Sequence, residues 1–488
     1  MYLPDNTIFK PVENPNMSPE RVANERLPMD QRFSTFDAVE LTYTEAQALE
    51  ESARCLKCPT HWCQKGCPAG NNCTEFIAKI RAKDYDGAWQ IIQETSVLPE
   101  ICSRVCPQEK QCQLNCTRGI NTMSVGIGRL ERFAVEQHYQ DWKPSPAKPA
   151  TGKRAAVVGS GPSGLAAAQR LRDAGHSVTV FESADRPGGL MEYGIPNMKL
   201  EKGVVARKIA AMEAEGITFR TGTVVGRDVP AEQLTAEYDA VVLAVGTGNA
   251  RALKLEGSEG VTGIHFAVDF LTSNTKSLLN SGLTDGKNIS AAGKDVVIIG
   301  GGDTGNDCVG TSLRHGCASV TQIEMLPQVP NKEVVYNPFP VRPKEKKFDT
   351  SQEEFLARFG HDPHIYQTTV KAVQADEAGA LQSVTTVKLE AVYDGYRLSM
   401  QEIPGSEETL PCQLLIIAAG FVGPESDVAK AFGLKTDGRT NFASTGYASS
   451  AEKVFVCGDC RTGQSLVVKA MVDGRECAKA VDAFLRGA

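Results

Sequence analysis

Cysteines crowd one short part of this chain, and their spacing is that of ligands to iron–sulfur clusters. Nine of the fifteen lie between Cys55 and Cys116, in two blocks. The first block reads Cys-x2-Cys-x4-Cys-x3-Cys-Pro from Cys55, and the second reads Cys-x3-Cys-Pro-x5-Cys-x3-Cys up to Cys116. Thiolates are soft anionic ligands, and four of them hold a cube of four irons. The two blocks therefore predict two 4Fe–4S clusters.

The cysteine spacing allows two allocations of ligands. In the first, eight thiolates fill both cubes, and these are Cys55, Cys58, Cys63, Cys67, Cys102, Cys106, Cys112 and Cys116. In the second, Cys116 completes the cube begun by the first three cysteines, and the other cube takes a non-cysteine ligand. The candidate for that ligand is Glu131, and Cys102 is then a bystander, as Cys73 is taken to be. In both allocations Cys67 crosses to the second cube, as the last cysteine of a bacterial ferredoxin run does.

Bulk properties limit the class of protein. With 488 residues the chain is long enough for about three domains. A net charge of −7 argues against a general role in nucleic-acid binding. Apolar runs are shorter than a membrane span, and the first seventeen residues lack the pattern of a signal peptide. The cytoplasm is therefore the expected compartment, and clustered cysteines there more often bind metal than form disulfides. Structural zinc is disfavoured because the blocks contain only one Cys-x2-Cys pair.

A Gly-x-Gly-x-x-Gly turn in the middle of the chain predicts a dinucleotide site. It follows an apolar strand over residues 154–158 and precedes a helix over residues 165–174. The first glycine permits a tight turn, the second lets the backbone approach a pyrophosphate, and the third lets the helix pack on the strand. The next strand ends at Glu182, which would accept the ribose hydroxyls. The candidate residues of the turn are Gly159, Gly161, Pro162, Ser163 and Gly164.

Further glycine-rich segments indicate that this first dinucleotide is FAD. One follows Glu182 directly, and another near the C-terminus carries Asp459, which could bond the ribityl chain. The helix after it would direct its N-terminal amides at negative charge on the reduced flavin. The candidate contacts of the flavin half are Gly189, Leu190, Thr247, Gly458, Asp459, Ser465 and Val467. We expect a split FAD domain over residues 150–255 and 424–488.

A second turn of the same kind predicts a site for NAD(P)H within residues 256–423. A strand over residues 295–299 leads into it, and the next strand ends at Glu324. An acid there suits a 2′-hydroxyl and repels a 2′-phosphate, which favours NADH, whereas nearby Arg314 and Lys332 could serve NADPH. A solvated strand end is the alternative role for Glu324. The candidate residues are Gly300, Gly302, Asp303, Thr304, Gly305, Arg314 and Glu324.

Two other stretches complete the domain plan. Residues 75–95 between the cysteine blocks have helical apolar spacing, which predicts a helical pair that covers the clusters within a domain of residues 1–149. Residues 325–371 are rich in proline and are expected to be an irregular insertion. Such an insertion is either a functional or docking surface or a solvated excursion.

With these motifs in place, the chain resembles the small subunit of glutamate synthase from about residue 30 to the end. The resemblance rests on the first cysteine block, on Arg-Val-Cys-Pro-Gln-Glu from Arg104, on Gly-Arg-Leu-Glu-Arg-Phe from Gly128 and on both glycine turns. Residues 40–140 look closer to dihydropyrimidine dehydrogenase and to the flavin iron–sulfur subunit of NADH-dependent ferredoxin:NADP oxidoreductase. Phe339 departs from the tryptophan that is frequent in relatives.

The resemblance implies a fold, a set of cofactors and a partner. The fold is α/β, with a helical iron–sulfur domain before two nested Rossmann-like domains of the glutathione-reductase type. The cofactors are FAD, two 4Fe–4S clusters and NAD(P)H, and Glu131 stands where dihydropyrimidine dehydrogenase places its non-cysteine ligand. The partner is a large subunit with FMN and another cluster, which makes glutamate from glutamine and 2-oxoglutarate, so a hetero-oligomer is expected.

Electrons would pass from NAD(P)H to flavin and leave singly through the clusters. No acid–base residue is required, so none is assigned as catalytic. By itself the chain would reduce artificial acceptors with NAD(P)H and make no glutamate. A flavoenzyme of the same architecture with another acceptor, such as ferredoxin or a sulfur species, is the main alternative, and a non-enzymatic scaffold is the other. The chain should bind neither nucleic acid nor membrane.

Overall fold

The computed structural model describes residues 14–146, 148–329, 348–395 and 397–487. The helices are α1 (Met29–Arg32), α2 (Glu45–Ser52), α3 (Trp62–Gly66), α4 (Cys73–Arg81), α5 (Tyr85–Thr95), α6 (Pro99–Val105), α7 (Ile127–His138), α8 (Pro162–Asp173), α9 (Leu190–Tyr193), α10 (Lys202–Ala214), α11 (Ala231–Glu237), α12 (Ala267–Ser281), α13 (Asp303–Arg314), α14 (Thr350–Phe359), α15 (Ser426–Ala431), α16 (Asp459–Thr462) and α17 (Val467–Arg486). The strands are β1 (Arg154–Val158), β2 (Ser177–Phe181), β3 (Thr218–Arg220), β4 (Ala240–Leu243), β5 (Asn249–Ala250), β6 (Ile264–Phe266), β7 (Asp295–Ile299), β8 (Ser319–Glu324), β9 (His364–Tyr366), β10 (Thr368–Ala375), β11 (Leu381–Asp394), β12 (Arg397–Glu402), β13 (Glu408–Pro411), β14 (Leu414–Ile417), β15 (Phe421–Gly423) and β16 (Val454–Val456).

The N-terminal region is helical, and the predicted pair over residues 75–95 is confirmed as α4 and α5. Lys83 turns the chain between them with φ of 58°, and Asp84 caps α5 by accepting from the amide of Gly87 at 2.9 Å. Their apolar faces close over α7, where Phe133 is fully buried. Cys73 and Cys112 belong to the same core. The cysteine blocks are therefore connected by a packed helical scaffold.

The first α/β unit is a five-stranded parallel sheet in the order β16-β4-β1-β2-β3. Its central strands β4 and β1 are apolar apart from the exposed Arg154, because helices cover both faces of a parallel sheet. The chain leaves this unit after β4 and returns with β16, as a split flavin unit requires. Helices α8 and α17 pack closely: a Cβ on Gly474 would collide with the carbonyl of Ser163.

The second α/β unit lies inside the first in sequence. Its parallel sheet has the order β6-β14-β7-β8-β9, and an antiparallel sheet of β10, β11, β12 and β13 follows β9. The two crossings between the units run side by side, because β5 pairs with β15 as an antiparallel ribbon. The predicted fold class, a helical region followed by two nested Rossmann-like units, is confirmed.

The prediction that residues 325–371 are irregular is wrong for residues 350–371, most of which form regular elements. Residues 350–359 form α14, and β9 extends the second sheet beside β8. Asp349 and Gln352 make a capping box, in which each side chain accepts from the other residue's amide, at 3.1 and 3.0 Å. Residues 330–347, which contain Lys332 and Phe339, lie outside the described residues. The strand β8 before them and the strand β9 after α14 are neighbours in the second sheet.

A segment before α2 connects the helical region to both α/β units. Arg26 pairs with Glu40 at 2.7 Å and with Glu353 of α14 at 2.8 Å. The amide of Val39 donates to the carbonyl of Met198 in the first unit at 3.1 Å. These contacts hold the three parts of the molecule in one arrangement. No helix in the described part of the chain is both long enough and apolar enough to cross a membrane.

Candidate functional site

Four thiols from both cysteine blocks come together beside α4. The pKa of Cys55 is raised to about 12, first by burial and then by the neighbouring thiols Cys63, Cys116 and Cys58. Burial raises the pKa of Cys116, and main-chain hydrogen bonds from residues 125, 118 and 119 to its sulfur offset part of that shift. The grouping unites three cysteines of the first block with the last of the second. Such a set matches one cube, with Cys116 as its fourth ligand.

A second group contains three thiols and a carboxylate. Burial raises the pKa of Cys112 well above its usual value, and the charges of Cys67, Glu131 and Cys106 raise it further. Glu131 comes from α7 and accepts a hydrogen bond from Nδ2 of Asn71 at 3.2 Å. Burial raises the pKa of Glu131 to about 8. A carboxyl group in this setting stays neutral unless a cation binds it, so its chemistry fits a ligand to iron.

Cys73 and Cys102 stand beside these groups as hydrogen-bond partners. Cys73 shares a hydrogen bond with Cys63, and Cys102 shares one with Cys106. All fifteen cysteines lie in the described ranges, and all are free thiols. Within those ranges no three His, Cys, Asp or Glu side chains converge on one ion position. Glu131 and Cys102 both neighbour the second group, Glu131 beside Cys112 and Cys102 beside Cys106.

In the first glycine turn, one glycine borders open space that a ligand could occupy, and the other two pack closely against backbone atoms. Gly159 has φ of 98°, and a Cβ there would lie 2.5 Å from the carbonyl oxygen of Ala244. A Cβ on Gly164 would likewise collide with the carbonyl oxygen of Gly159. By contrast, a Cβ on Gly161 would meet no atom within 4 Å. Gly161 precedes Pro162 and Ser163 at the start of α8, where helix amides attract phosphate.

Glu182 closes this turn through Ser160, a residue that the motif leaves unspecified. Oε2 of Glu182 accepts from the amide of Ser160 at 3.0 Å and also from its hydroxyl. The hydroxyl oxygen of Ser160 in turn accepts from the amide of Gly188 at 2.8 Å. The acid, the pyrophosphate turn and the Gly188-Gly189 segment are therefore connected by hydrogen bonds. Ser160 could have been noticed from its place between the first two glycines.

The second turn repeats this geometry. Gly300 has φ of 124°, and a Cβ there would lie 2.5 Å from the carbonyl oxygen of Ala418. A Cβ on Gly302 would meet nothing within 4 Å. Oε2 of Glu324 accepts from the amide of Gly301 at 3.1 Å, as Glu182 does from Ser160. Gly305 packs on the turn, and Asp303 and Thr304 open α13.

The placement of Arg314 contradicts its assignment to the cofactor. It lies at the last turn of α13, at the end opposite the glycine turn. Its side chain is 1% exposed, and it forms a two-pronged pair with Glu354 at 2.7 and 3.0 Å. The remaining nitrogen donates to the carbonyl of Thr35 at 2.9 Å. Arg314 therefore joins α14 and the N-terminal segment to α13, and it is not free to bind a 2′-phosphate.

The proposed flavin end is built from the second half of the first unit. Gly458 donates its amide to Oδ2 of Asp473 at 2.7 Å, and the hydroxyl of Ser465 donates to Oδ1 of Asp459 at 2.7 Å. Burial raises the pKa of Asp459. Val467 starts α17 just beyond these residues. Asp473 sits two turns into α17, and no local motif marks it.

Leu190 starts α9 with 44% of its surface exposed, as an apolar wall for a ring would be. Lys202 holds α9 and the residues after it by donating hydrogen bonds to the carbonyls of Met191 at 2.8 Å and Ile195 at 2.6 Å. Burial lowers the pKa of Lys202 to about 8. Thr247 lies in the crossing after β4, next to Gly246. Sequence reasoning missed Lys202, which looks like an ordinary surface lysine.

Comparisons with known proteins support this assembly. Residues 32–142 match the family described as dihydropyrimidine dehydrogenase domain II, 4Fe-4S cluster, and residues 153–474 match pyridine nucleotide-disulphide oxidoreductase. FprA of Mycobacterium tuberculosis in complex with NADPH superposes with a TM-score of 0.54 at 20% identity, over 70% of this chain and 85% of that protein, which shows the fold. The chain is therefore an NAD(P)H-dependent flavin oxidoreductase with an iron–sulfur domain.

Relatives that match most of this chain identify the family of oxidoreductases to which it belongs. The chain is 41% identical to the small chain of NADPH glutamate synthase from Bacillus subtilis, over 91% of this chain and 92% of that protein. It is 42% identical to NADH glutamate synthase of Schizosaccharomyces pombe, of which it spans only 22%. It belongs to the glutamate synthase small-chain family.

Proposed function

We propose that this chain feeds electrons from NAD(P)H, through FAD and two 4Fe–4S clusters, to a separate subunit that makes glutamate. The observation that carries the proposal is the packing of the thiol groups. Cys106 packs against the core of the first α/β unit and Cys67 packs against both cores, whereas Cys55 and Cys63 pack only against the core of the helical region. The two groups therefore form a series that leads away from the proposed flavin unit.

The residues of the two turns support the choice of cofactors. Bound FAD supplies an acceptor for hydride and a means of releasing two electrons one at a time. Gly161 and the start of α8 would hold its pyrophosphate, Glu182 its ribose, and Asp459 its ribityl chain. Gly302 and the start of α13 would hold the pyrophosphate of NAD(P)H. The chain's own contribution is to bind, to orient and to exclude water, so we assign no acid–base residue.

We also propose the domain plan and the ligand sets. The plan assigns residues 1–149 to the clusters, residues 150–255 and 424–488 to FAD, and residues 256–423 to NAD(P)H. The first cluster takes Cys55, Cys58, Cys63 and Cys116. The second takes Cys67, Cys106, Cys112 and Glu131, and the proximity of Glu131 to Cys112 supports it over Cys102.

We propose that NADH is preferred over NADPH. Glu324 already accepts a hydrogen bond from Gly301, which places its charge at the turn, where a 2′-phosphate would be repelled. The buried state of Arg314 removes one cation that NADPH would have used. Relatives named for NADH and for NADPH both match the chain, so the choice rests on these two residues.

The proposed partner is a large glutamate synthase subunit that carries FMN and a further cluster, in a cytoplasmic hetero-oligomer. The test is to purify this chain alone and together with that subunit. Alone, it should hold about eight irons per FAD, lose its flavin colour with NADH and make no glutamate. Together, the pair should form glutamate from glutamine and 2-oxoglutarate with NADH. Absence of glutamate from an intact pair would contradict the proposal.

A second function is favoured by one relative. The putative oxidoreductase AegA of Escherichia coli is 32% identical over 97% of this chain, and the match covers 71% of that protein. A related role would use the same cofactors with another acceptor, such as ferredoxin. Reduction of NADP by reduced ferredoxin with this chain alone would establish that function and overturn the glutamate synthase proposal.

A further inference from the structure

An arginine of the first α/β unit reaches into the helical region beside the second thiol group. Arg475, on α17, donates from Nη1 to the carbonyl of Thr95 at 2.6 Å and to the carbonyl of Ala69 at 3.1 Å. Its side chain is 14% exposed, and its Nε pairs with Glu476 at 2.9 Å. Ala69 follows Cys67 by two residues, so the guanidinium holds the backbone that carries a proposed cluster ligand.

A second arginine contacts the same helix end. Arg170, on α8, donates from Nη2 to the carbonyl of Gln93 at 2.5 Å and to that of Glu94 at 3.3 Å. These carbonyls belong to the last turn of α5. Carbonyl oxygens there have no hydrogen-bond donor within the helix, and the turn is the negative end of the helix dipole. Arg475 and Arg170, both from the first α/β unit, thus donate hydrogen bonds to the unpaired carbonyls at the end of α5. Only Arg475 also touches the Cys67 loop.

The helices that carry these arginines are the ones that start at the proposed flavin site. α8 starts at the pyrophosphate turn, and α17 starts beyond Asp459 and Ser465. Gly474, the neighbour of Arg475, lets α17 press against the backbone of Ser163 in that turn. The side chain of Ser96 adds a contact to Met471 at 3.8 Å. A short, well-packed connection therefore runs from the dinucleotide turn through α17 to the Cys67 loop.

We propose that Arg475 is a positioning residue for electron transfer, which sets the separation between the flavin site and the second cluster. The inference rests on the proposed function. Oxidation of NAD(P)H to NAD(P)⁺ would deliver a hydride, that is two electrons and one proton, to the flavin; the electrons would then leave singly, one for each cluster, and the proton would be released to solvent. Because electron tunnelling falls steeply with distance, a small movement of the Cys67 loop slows this second stage. It leaves hydride transfer unaffected, since the hydrogen bonds and ion pairs of Arg475 within the described residues go to Ala69, Thr95 and Glu476, none of which belongs to the second α/β unit.

The experiment compares Arg475→Gln, Arg475→Lys and Arg170→Gln with the FAD- and iron-loaded wild-type chain. The matched control is Arg486→Gln, because Arg486 lies on the same helix but donates to Ala174 within the first unit, at 2.8 Å. Each protein is mixed with NADH without oxygen. Flavin bleaching is followed by absorbance and cluster reduction by rapid-freeze electron paramagnetic resonance. Hydrogen exchange at residues 69–73 and 93–97 reports directly on the loop and the helix end.

In Arg475→Gln, flavin bleaching should keep the wild-type rate, while cluster reduction slows severalfold, because electron tunnelling weakens steeply as donor and acceptor move apart. Arg475→Lys should be intermediate, because an ammonium lacks the planar fork that spans two carbonyls. Arg170→Gln should be slowed less. Exchange should accelerate at residues 69–73 in the Arg475 variants alone.

Three results would overturn the inference alone: a wild-type rate of cluster reduction in Arg475→Gln, equal slowing in Arg486→Gln, or equal slowing of bleaching and cluster reduction. Loss of iron from both Arg475 variants would also overturn it, since the residue would then be structural. A wild-type chain that is not bleached by NADH, or that shows no cluster signal, would instead overturn the proposed function together with the inference.

Discussion

Glu324 is the residue on which the choice between NADH and NADPH depends. Replacing it with alanine removes a negative charge and frees the amide of Gly301, so a 2′-phosphate is no longer repelled. In Glu324→Ala we expect weaker use of NADH and a shift of the kcat/KM ratio towards NADPH on the order of tenfold, equivalent to about 1.4 kcal/mol. Steady-state kinetics with both nucleotides measures this ratio.

The matched control for Glu324 is Glu182, which has the corresponding place in the first turn. Glu182→Ala should lower the FAD content of the purified protein and leave the nucleotide preference of the flavin-loaded fraction unchanged. An unchanged ratio in Glu324→Ala would show that this acid is only a solvated strand end.

The identity of the eighth cluster ligand is a second question at the scale of single residues. Glu131 lies among Cys67, Cys106 and Cys112, whereas Cys102 is a hydrogen-bond partner of Cys106. We expect Glu131→Ala to lose or alter one of two cluster signals in electron paramagnetic resonance, with iron falling towards about four per chain. Cys102→Ser should keep both signals. The opposite pattern would assign the site to Cys102.

At the scale of elements, the roles of the two glycine turns can be distinguished by replacing one glycine in each turn with alanine. A Cβ on Gly161 or Gly302 points into open space, and neither residue has a positive φ, so the fold should tolerate alanine. We expect Gly161→Ala to lower FAD content, because the methyl group occupies the approach of the pyrophosphate. Gly302→Ala should keep FAD and raise KM for NADH by about tenfold.

Gly203 provides the control for both alanine variants, since it lies in α10 and a Cβ there would also meet nothing within 4 Å. Gly203→Ala should keep FAD and KM and stabilise the protein by up to about 1 kcal/mol. Absorbance of bound flavin and thermal unfolding measure the two effects. If Gly161→Ala and Gly302→Ala behaved alike, the assignment of one turn to each dinucleotide would be wrong.

Local patterns in the sequence were enough to predict the elements that carry the turns. The strand, glycine turn and helix of each unit lie within a few residues of their predicted places, because apolar strands and glycine requirements are local. The capping box at Asp349 was also a local signal, but the surrounding prolines concealed α14. In contrast, Arg475 and Ala69 are 406 residues apart. Such pairings depend on how the units pack, which no local pattern records.

At the scale of the whole molecule, one acid joins the iron–sulfur region to the first α/β unit. Glu136 of α7 accepts from Arg104 of α6 at 2.8 Å and from Arg207 of α10 at 2.7 and 2.8 Å. Arg104 is 4% exposed, so it needs this partner. Glu136→Gln should lower the free energy of unfolding by about 2 kcal/mol at neutral pH, as expected for losing charged hydrogen bonds. The exposed Glu213 of α10 provides the control, Glu213→Gln.

The same acid predicts how the stability of this junction depends on pH. Burial alone would raise the pKa of Glu136, but hydrogen bonds and charges from Arg207 and Arg104 outweigh it and lower the pKa to about 2. Because the folded-state pKa is below the usual 4.5, the contribution is complete above about pH 4.5 and is lost as the pH falls towards about 2. Thermal unfolding of the wild type and of Glu136→Gln, compared between about pH 7 and about pH 3, should therefore show a difference that is constant in the upper range and shrinks in the lower one. A difference that does not change with pH would mean that Glu136 acts through packing rather than through its charge.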